Sequence, residues 1–360
     1  MPEGLVDTTM DPHPPGVAPT DRDEDRGASI VRDFGAGALL PFQVRPSMSR
    51  FIDPSGRVVI VHARAGRTSI VLGDPIGPPE GHEAALRGFV AASRRAHRTV
   101  GVYQASASSR TALLRSGFRR VFLIGQEAIV DLPSFSLAGS RRANLRHTVT
   151  RFGRDGGTVE WFPAGLDEPA RVRFGPDLAT IDAAWRATAG PALGFTIGVF
   201  DPLDLERIPV AVGLDGSGAP QAFVTFRPTG ADGGFVLDLI RRRPGGVPGA
   251  AEACIAAAAA GFRDGGASHL SLGLAPIHGL RADVGPFEER FIRRAAEAVS
   301  RWYDIDGLAF FKAKFDPHWE PRSIAIRRRH DVLAVAIALL LLHLSDDGRL
   351  RSAARTVVGR

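Results

Sequence analysis

The chain has 360 residues, a formal net charge of +6, a pI near 10.4 and 44% hydrophobic residues, which suits a folded protein of one large or two ordinary domains and excludes a collagen-like or fully disordered chain. A single cysteine, Cys254, rules out an internal disulfide, and no Cys/His spacing resembles a zinc site, so neither a metal nor another cofactor is called for. The basic balance favours polyanionic partners, RNA or anionic lipid.

Residues 1–40 read as a disordered tail, rich in proline and mixed charge. Its first 27 residues lack the apolar core of a signal peptide, and with no disulfide this points to the reducing cytoplasm. Strands are predicted over 57–64 and 68–72 around the turn Ala65-Gly66, followed by a helix over 83–96, a strand over 99–104 and a helix over 108–116 closed by Gly117. One or two strands follow over 121–132, then a strongly basic helix over 140–152, a strand over 158–162 and a helix over 176–188. The second half repeats the idea: strands over 210–213, 222–227 and 234–241, a helix over 249–262, a strand over 269–274, helical material including 287–300, and a short strand over 323–326. The run 332–344, VLAVAIALLLLHL, is about 13 residues, short of the roughly 20 that cross a bilayer. It reads either as a helix docked on the core or as an interfacial anchor whose basic flank, Arg327-Arg328-Arg329-His330, meets lipid headgroups.

Each half thus runs meander, helix, strand, helix, strand, which implies α/β architecture with mixed sheets flanked by helices. The order resembles an acyl-CoA N-acyltransferase (GNAT) fold in tandem. The units are a tail at 1–40, a first GNAT-like domain at 41–155, a second at 156–330, and an apolar helix and tail at 331–360. The loop Arg241-Arg242-Arg243-Pro244-Gly245-Gly246 before the alanine-rich helix is a degenerate form of a pyrophosphate loop, so an N-acyltransferase using acyl-CoA stands as an alternative function.

Of the 45 basic residues, all but Lys312 and Lys314 are arginine. Lysine is a compact charge whose pKa moves on burial, whereas arginine stays charged, so a place that keeps lysine can need a tunable proton. The two lysines share a face if the segment is extended and differ by about 200° if it is helical. Asp238 lies in the apolar strand VLDLI, where alternation puts Val236, Asp238 and Ile240 on one face and Leu237, Leu239 and Arg241 on the other. It reads as half of an Asp–Arg structural pair or as a holder of a substrate cation. Arg142 and Arg146, and His147 and Arg151, are spaced four apart with Arg154 beyond, a basic stripe on one side of a helix. The stripe is either a solvated face or a contact for nucleic-acid or lipid phosphates. Should it bind no reacting substrate, the chain would be a non-catalytic tRNA- or lipid-binding module. The sequence has no Gly-x-Ser-x-Gly elbow and no Cys/His pair for covalent catalysis.

The stretches IVLGDPIGP (70–78), VGVYQAS (100–106), SGFRRVFLIGQEAIVDLPSFSLAGSRRANLRHTVTR (116–151), GFTIGVFDPLDLERIPVAV (194–212), VLDLIRRRP (236–244), LSLGLAPIHGL (270–280) and GLAFFKAKFDPHWEPR (307–322) together resemble the catalytic C-terminal domain of the aminoacyl-phosphatidylglycerol synthases, over residues 44–330. The resemblance implies transfer of an amino acid, of the lysine or alanine class, from aminoacyl-tRNA to the hydroxyl of phosphatidylglycerol or a related acceptor. It also implies a peripheral location on the inner face of the cell membrane. That family's block of membrane spans has no counterpart in this sequence, which makes a separate membrane flippase a candidate partner. It points to Lys312 and Lys314 as catalytic or phosphate-binding, and to Asp238 and Arg241 as holding the donor. Glu127 and Asn144 become polar lining groups, Arg142, Arg146 and Arg151 backbone contacts to tRNA or lipid, and His278 a candidate proton shuttle, with Trp319 and Glu320 bracing the lysine loop.

Overall fold

Strands with largely continuous buried apolar runs build one mixed sheet, described in a computed structural model over residues 21–188, 194–280 and 305–345. Its strands are β1 (Ser49–Ile52), β2 (Val59–Ala65), β3 (Thr68–Leu72), β4 (Thr99–Ala105), β5 (Arg120–Asp131), β6 (Thr158–Phe162), β7 (Val210–Leu214), β8 (Pro220–Pro228), β9 (Phe235–Arg242), β10 (His269–Pro276) and β11 (His318–Ile326). Their order across the sheet is β1-β2-β3-β4-β11-β5-β10-β9-β8-β7-β6. The β3–β4 and β9–β10 pairs are parallel and the remaining described pairs antiparallel.

Helices cover both faces. They are α1 (Asp21–Phe34), α2 (Leu40–Gln43), α3 (His82–Arg95), α4 (Arg110–Arg115), α5 (Ala143–Arg154), α6 (Glu168–Thr188), α7 (Ala250–Asp264), α8 (Ile305–Ala313) and α9 (Asp331–Ser345). The period of two decides which face each strand residue joins. In β2, Val59 and Val61 pack with Ile30 of α1, Phe42 of α2 and Val335 of α9, while Ile60 packs with Leu86 and Phe89 of α3. In β7, Ala211 joins Ile255 of α7 and Leu145 of α5, and Val210 and Val212 join Phe174 and Leu178 of α6. Each fully buried Leu, Val or Phe contributes about 1.5–3 kcal/mol, enough to fix register.

The expected α/β class, with a mixed sheet flanked by helices, is the architecture observed. Several expected bounds change. The tail expected over 1–40 is too long: Asp21–Phe34 is helical because Ile30 and Val31 bury against the sheet, while residues 1–20 lie outside the described residues. α6 begins at Glu168, with Pro176 inside it, since Ala170, Phe174, Leu178 and Ile181 form one buried stripe across the proline and outweigh its cost of about 3 kcal/mol. The last strand runs from His318, five residues before its expected start. A unit boundary near 155 does not divide the sheet, because β11 inserts between β4 and β5. The helix expected over 287–300 lies outside the described residues.

Candidate active site

β5 lies between β11 and β10, and its Glu127 stands opposite Leu274 of β10 and Glu320 of β11. β10 approaches β5 closely at Gly125: a Cβ there would sit 2.3 Å from the Ala275 carbonyl oxygen, and its φ of +154° suits glycine. Beside it β10 carries one extra residue between Ser271 and Leu274, a bulge that turns side chains at a strand end. The result is a buried polar cluster. Ser271 donates its hydroxyl to Glu127 Oε1 at 2.5 Å and accepts the Gly273 N–H at 3.0 Å. Arg322 of β11 donates Nε–H to Glu127 Oε2 at 2.7 Å and closes on the same oxygen through Nη2.

Lys312, in the last turn of α8, is only 3% exposed and donates Nζ–H to the Leu274 carbonyl at 2.7 Å. Burial pulls its pKa down to about 7, against the opposing attraction of Glu127. A lysine at that value shuttles a proton near neutral pH, a behaviour closed to arginine. Lys314 follows a different path, pairing with Glu252 of α7 at 2.9 Å and lying against the Phe310 and Phe311 rings. Arg242 completes that pair, 3.7 Å from Glu252 and stacked over Phe311. The helix end therefore sends the two lysines to separate partners.

Asp238 sits on β9, two strands from β5. Strict alternation breaks at this residue: Leu239 faces Thr225 and Leu237 faces Phe226, which leaves Asp238 as the extra residue of a bulge. Leu237 and Ile240, expected on opposite faces, consequently join the same cluster. Asp238 Oδ2 accepts Thr225 Oγ1–H at 3.2 Å and pairs with Arg227 Nε at 3.2 Å. Its Oδ1 is buried with no hydrogen-bond partner among the described residues. Burial raises the Asp238 pKa, opposed by the Arg227 and Arg45 charges and the Thr225 hydrogen bond. Gly198 lies directly over this oxygen, where a Cβ would come within 2.5 Å. Arg45 holds the covering segment through the Phe195 and Ile197 carbonyls.

Arg241 takes no part in that group. It is buried, with Nε 2.6 Å from Asp182 of α6 and its guanidinium 3.9 Å over the Trp185 ring; the Asp–Arg pair anticipated for Asp238 is made with Arg227 instead. The basic helix is likewise divided. Arg142 donates to the carbonyls of Phe315, Ser134 and Ser136, and Arg146 to those of Leu137 and Gly139. Arg151 stays outward, 3.8 Å from Asp155, with His147, Arg154 and Asn144 also exposed. The His278 ring lies tilted against Trp319, with centroids 4.2 Å apart.

Glu127, Lys312 and His278 thus gather around the β5–β10–β11 end, with Asp238 two strands away. Sequence reasoning missed Ser271, Arg322, Arg227 and Glu252. Each is a polar residue inside an apolar strand or at a helix start, the one signal available. Among the described residues no His/Cys/Asp/Glu group is arranged to hold a metal ion.

Residues 36–326 match the family described as phosphatidylglycerol lysyltransferase, C-terminal. The chain is 27% identical over 312 residues to the phosphatidylglycerol lysyltransferase of Bacillus subtilis (strain 168), covering 86% of this chain and 36% of that protein. It is 29% identical over 330 residues to the lysylphosphatidylglycerol biosynthesis bifunctional protein LysX of Rhodococcus jostii (strain RHA1), covering 89% of this chain and 29% of that one. The chain therefore spans about a third of the length of these relatives. The solved structure of L-PGS from Bacillus licheniformis superposes with a TM-score of 0.74 at 25% identity, over 93% of this chain and 99% of that one. With the matched region running from α2 through β11, and so embracing both Glu127–Lys312 and Asp238, the chain belongs to the phosphatidylglycerol lysyltransferase C-terminal family.

Proposed function

We propose that this chain transfers a lysyl group from aminoacyl-tRNA to a hydroxyl of phosphatidylglycerol at the inner surface of the cell membrane. The observation that carries the reading is Asp238, a buried carboxylate with one oxygen paired and the other unpartnered among the described residues. A carboxylate desolvated in this way gains most from a cationic ligand, and the ammonium of a lysyl ester supplies one. The relatives' names concern lysyl transfer and phosphatidylglycerol.

The ester on tRNA is already activated, so the task is positioning, proton removal and stabilisation of an oxyanion. The acceptor hydroxyl oxygen attacks the ester carbonyl carbon. The new C–O bond forms, the bond to the tRNA ribose oxygen breaks, and that oxygen leaves with a proton. In this reading neutral Lys312 takes the hydroxyl proton and returns it to the leaving oxygen, with Glu127, Arg322 and Ser271 holding its surroundings. Lys314 and Arg242 supply positive charge for a phosphate near the loop, and Arg151, His147 and Arg154 supply backbone contacts to the tRNA.

The test is transfer from radiolabelled lysyl-tRNA into solvent-extractable lipid in the presence of phosphatidylglycerol vesicles. Label in the lipid, dependent on tRNA, is expected. Consumption of charged tRNA without lipid label would move the acceptor to a soluble molecule. No consumption at all would overturn the reading.

A further inference from the structure

α9 holds no Asp, Glu, Lys or Arg from Val332 to Ser345. A helix docked on one face of a sheet ordinarily turns polar residues outward. Here Val335 and Ala338 are 1% and 2% exposed against the sheet, with Val335 set against Gly101 of β4 where a Cβ would come within 2.9 Å. Directly opposite, Leu333, Ile337, Leu340 and Leu341 are 47–60% exposed. At about 100° per residue these four fall within an arc of roughly 100°, one continuous aliphatic stripe. It contains no aromatic or hydrogen-bonding group to set the register of a protein partner. Immediately before it, the turn 327–330 brings Arg328, Arg329 and His330 to the surface, with the Arg328 N–H held by Asp331 at 3.0 Å.

We infer that the Leu333/Ile337/Leu340/Leu341 stripe docks this chain in the interface of an anionic bilayer, with the helix parallel to the membrane plane. The chemistry of both parts fits one occupant: aliphatic side chains enter the acyl boundary while the arginines at the helix start meet anionic headgroups. Fifteen residues of helix span roughly 22 Å, too little to cross the hydrocarbon layer of about 30 Å, so the helix lies in the interface. It is also coupled to the site. The Gly194 N–H donates to the His343 carbonyl at 2.7 Å, and Thr196 Oγ1 lies 3.4 Å from His343 Nε2. Gly198, two residues on from Thr196, covers Asp238. The docked helix thereby holds the segment that closes over the carboxylate. The inference builds on the lipid acceptor proposed above and names the surface that reaches it.

The experiment measures sedimentation of the full chain with vesicles of phosphatidylglycerol and phosphatidylcholine, beside a Leu333→Gln, Ile337→Gln, Leu341→Gln variant. The substituted side chains point outward, so the melting curve should be unchanged. The inference expects partitioning to fall by at least about tenfold in the variant, and to weaken in vesicles of phosphatidylcholine alone. As a second reading, Ile337→Cys carries an environment-sensitive fluorophore and Arg151→Cys serves as the control; Cys254 is buried and takes no label. A blue shift and quenching by acyl-brominated lipid are expected at position 337 only. Unchanged partitioning of the triple variant, a water-exposed probe at 337, or a dimer in solution that the same substitutions dissociate would each overturn it. Lysyl transfer to short-chain phosphatidylglycerol in micelles separates the two claims. A variant that loses transfer on vesicles and keeps it on micelles supports the docking surface. A wild-type chain that binds vesicles through the stripe yet transfers to neither acceptor leaves the docking inference standing and sinks the enzymatic reading.

Discussion

Arg142 donates its Nε–H to the main-chain oxygen of Phe315 at 3.1 Å, joining the start of the basic helix to the turn that follows Lys312 and Lys314. Its Nη2 also lies 3.8 Å from Asp316, whose φ of +53° makes the turn after the lysines. Arg142, which its spacing grouped into a basic stripe, is thus tied by a hydrogen bond and a charge to the turn after the lysines. Arg142→Met should lower kcat by about tenfold or more, in line with the sensitivity of catalysis to small displacements. Affinity for tRNA and its salt dependence should change little. Arg151→Ala should do the reverse, raising KM and reducing the slope of log K against log salt. Transfer kinetics at two salt concentrations check both.

The position of Lys312 predicts a pH profile. Its pKa lies at about 7, so the neutral amine grows as pH rises through that value. With Lys312 as the proton acceptor, log kcat/KM should rise with unit slope below pH 7 and level off above it. Lys312→Arg carries a charge that does not titrate in this range, and should be flat and at least about a hundredfold slower. Short-time assays between pH 5.5 and about 8.5, limited by the lability of the tRNA ester, distinguish these outcomes.

Asp238→Asn should raise KM for the lysyl donor by about tenfold or more, the loss expected when a buried charge pair loses one partner. Stability should respond differently. Burial raises the Asp238 pKa, so the folded state holds its proton to higher pH than the unfolded chain does. The ionised form therefore costs stability above the unfolded value, and the cost is complete once the raised folded value is passed. Removing that charge should leave the urea midpoint at neutral pH unchanged or higher. Gly198→Ala, whose Cβ would press on Asp238 Oδ1 at 2.5 Å, should reproduce the loss of activity.

His62 sets a second pH dependence, independent of the site. It is 5% exposed on β2, packed on the Phe89 ring at 4.8 Å, with Nδ1 unpartnered among the described residues. Burial foremost, with the Arg64 and Arg98 charges, depresses its pKa to about 3 from 6.5. The unfolded chain binds this proton below pH 6.5 while the folded chain refuses it until about 3, so its stabilisation is complete above 6.5 and lost as pH falls through that window. Between pH 7 and 5 the loss from this residue is about 2 kcal/mol. His62→Leu should remove that share, seen as a smaller shift of the urea midpoint between the two pH values.

The sequence by itself determined the elements whose signal is local. The β2–β3 strands, the Thr158–Phe162 strand and the alanine-rich α7 follow from period and turn chemistry, because a single face or a single glycine decides them. The oddity of two lysines among arginines also lay in the sequence, and it marked a helix end where one lysine is buried and near-neutral in pKa. Tertiary structure decided the rest. Only the insertion of β11 between β4 and β5 brings Arg322 to Glu127, 195 residues away. Only a bulge, which has no sequence period, takes Asp238 out of the alternation that grouped it with Ile240. Asp182 of α6 claimed Arg241, and the loop carbonyls claimed Arg142 and Arg146, since a guanidinium satisfies whichever acceptors folding brings within reach. Local periodicity carries no information about such long-range partners, so the strands could be read along the chain while the pairing of their charges could not.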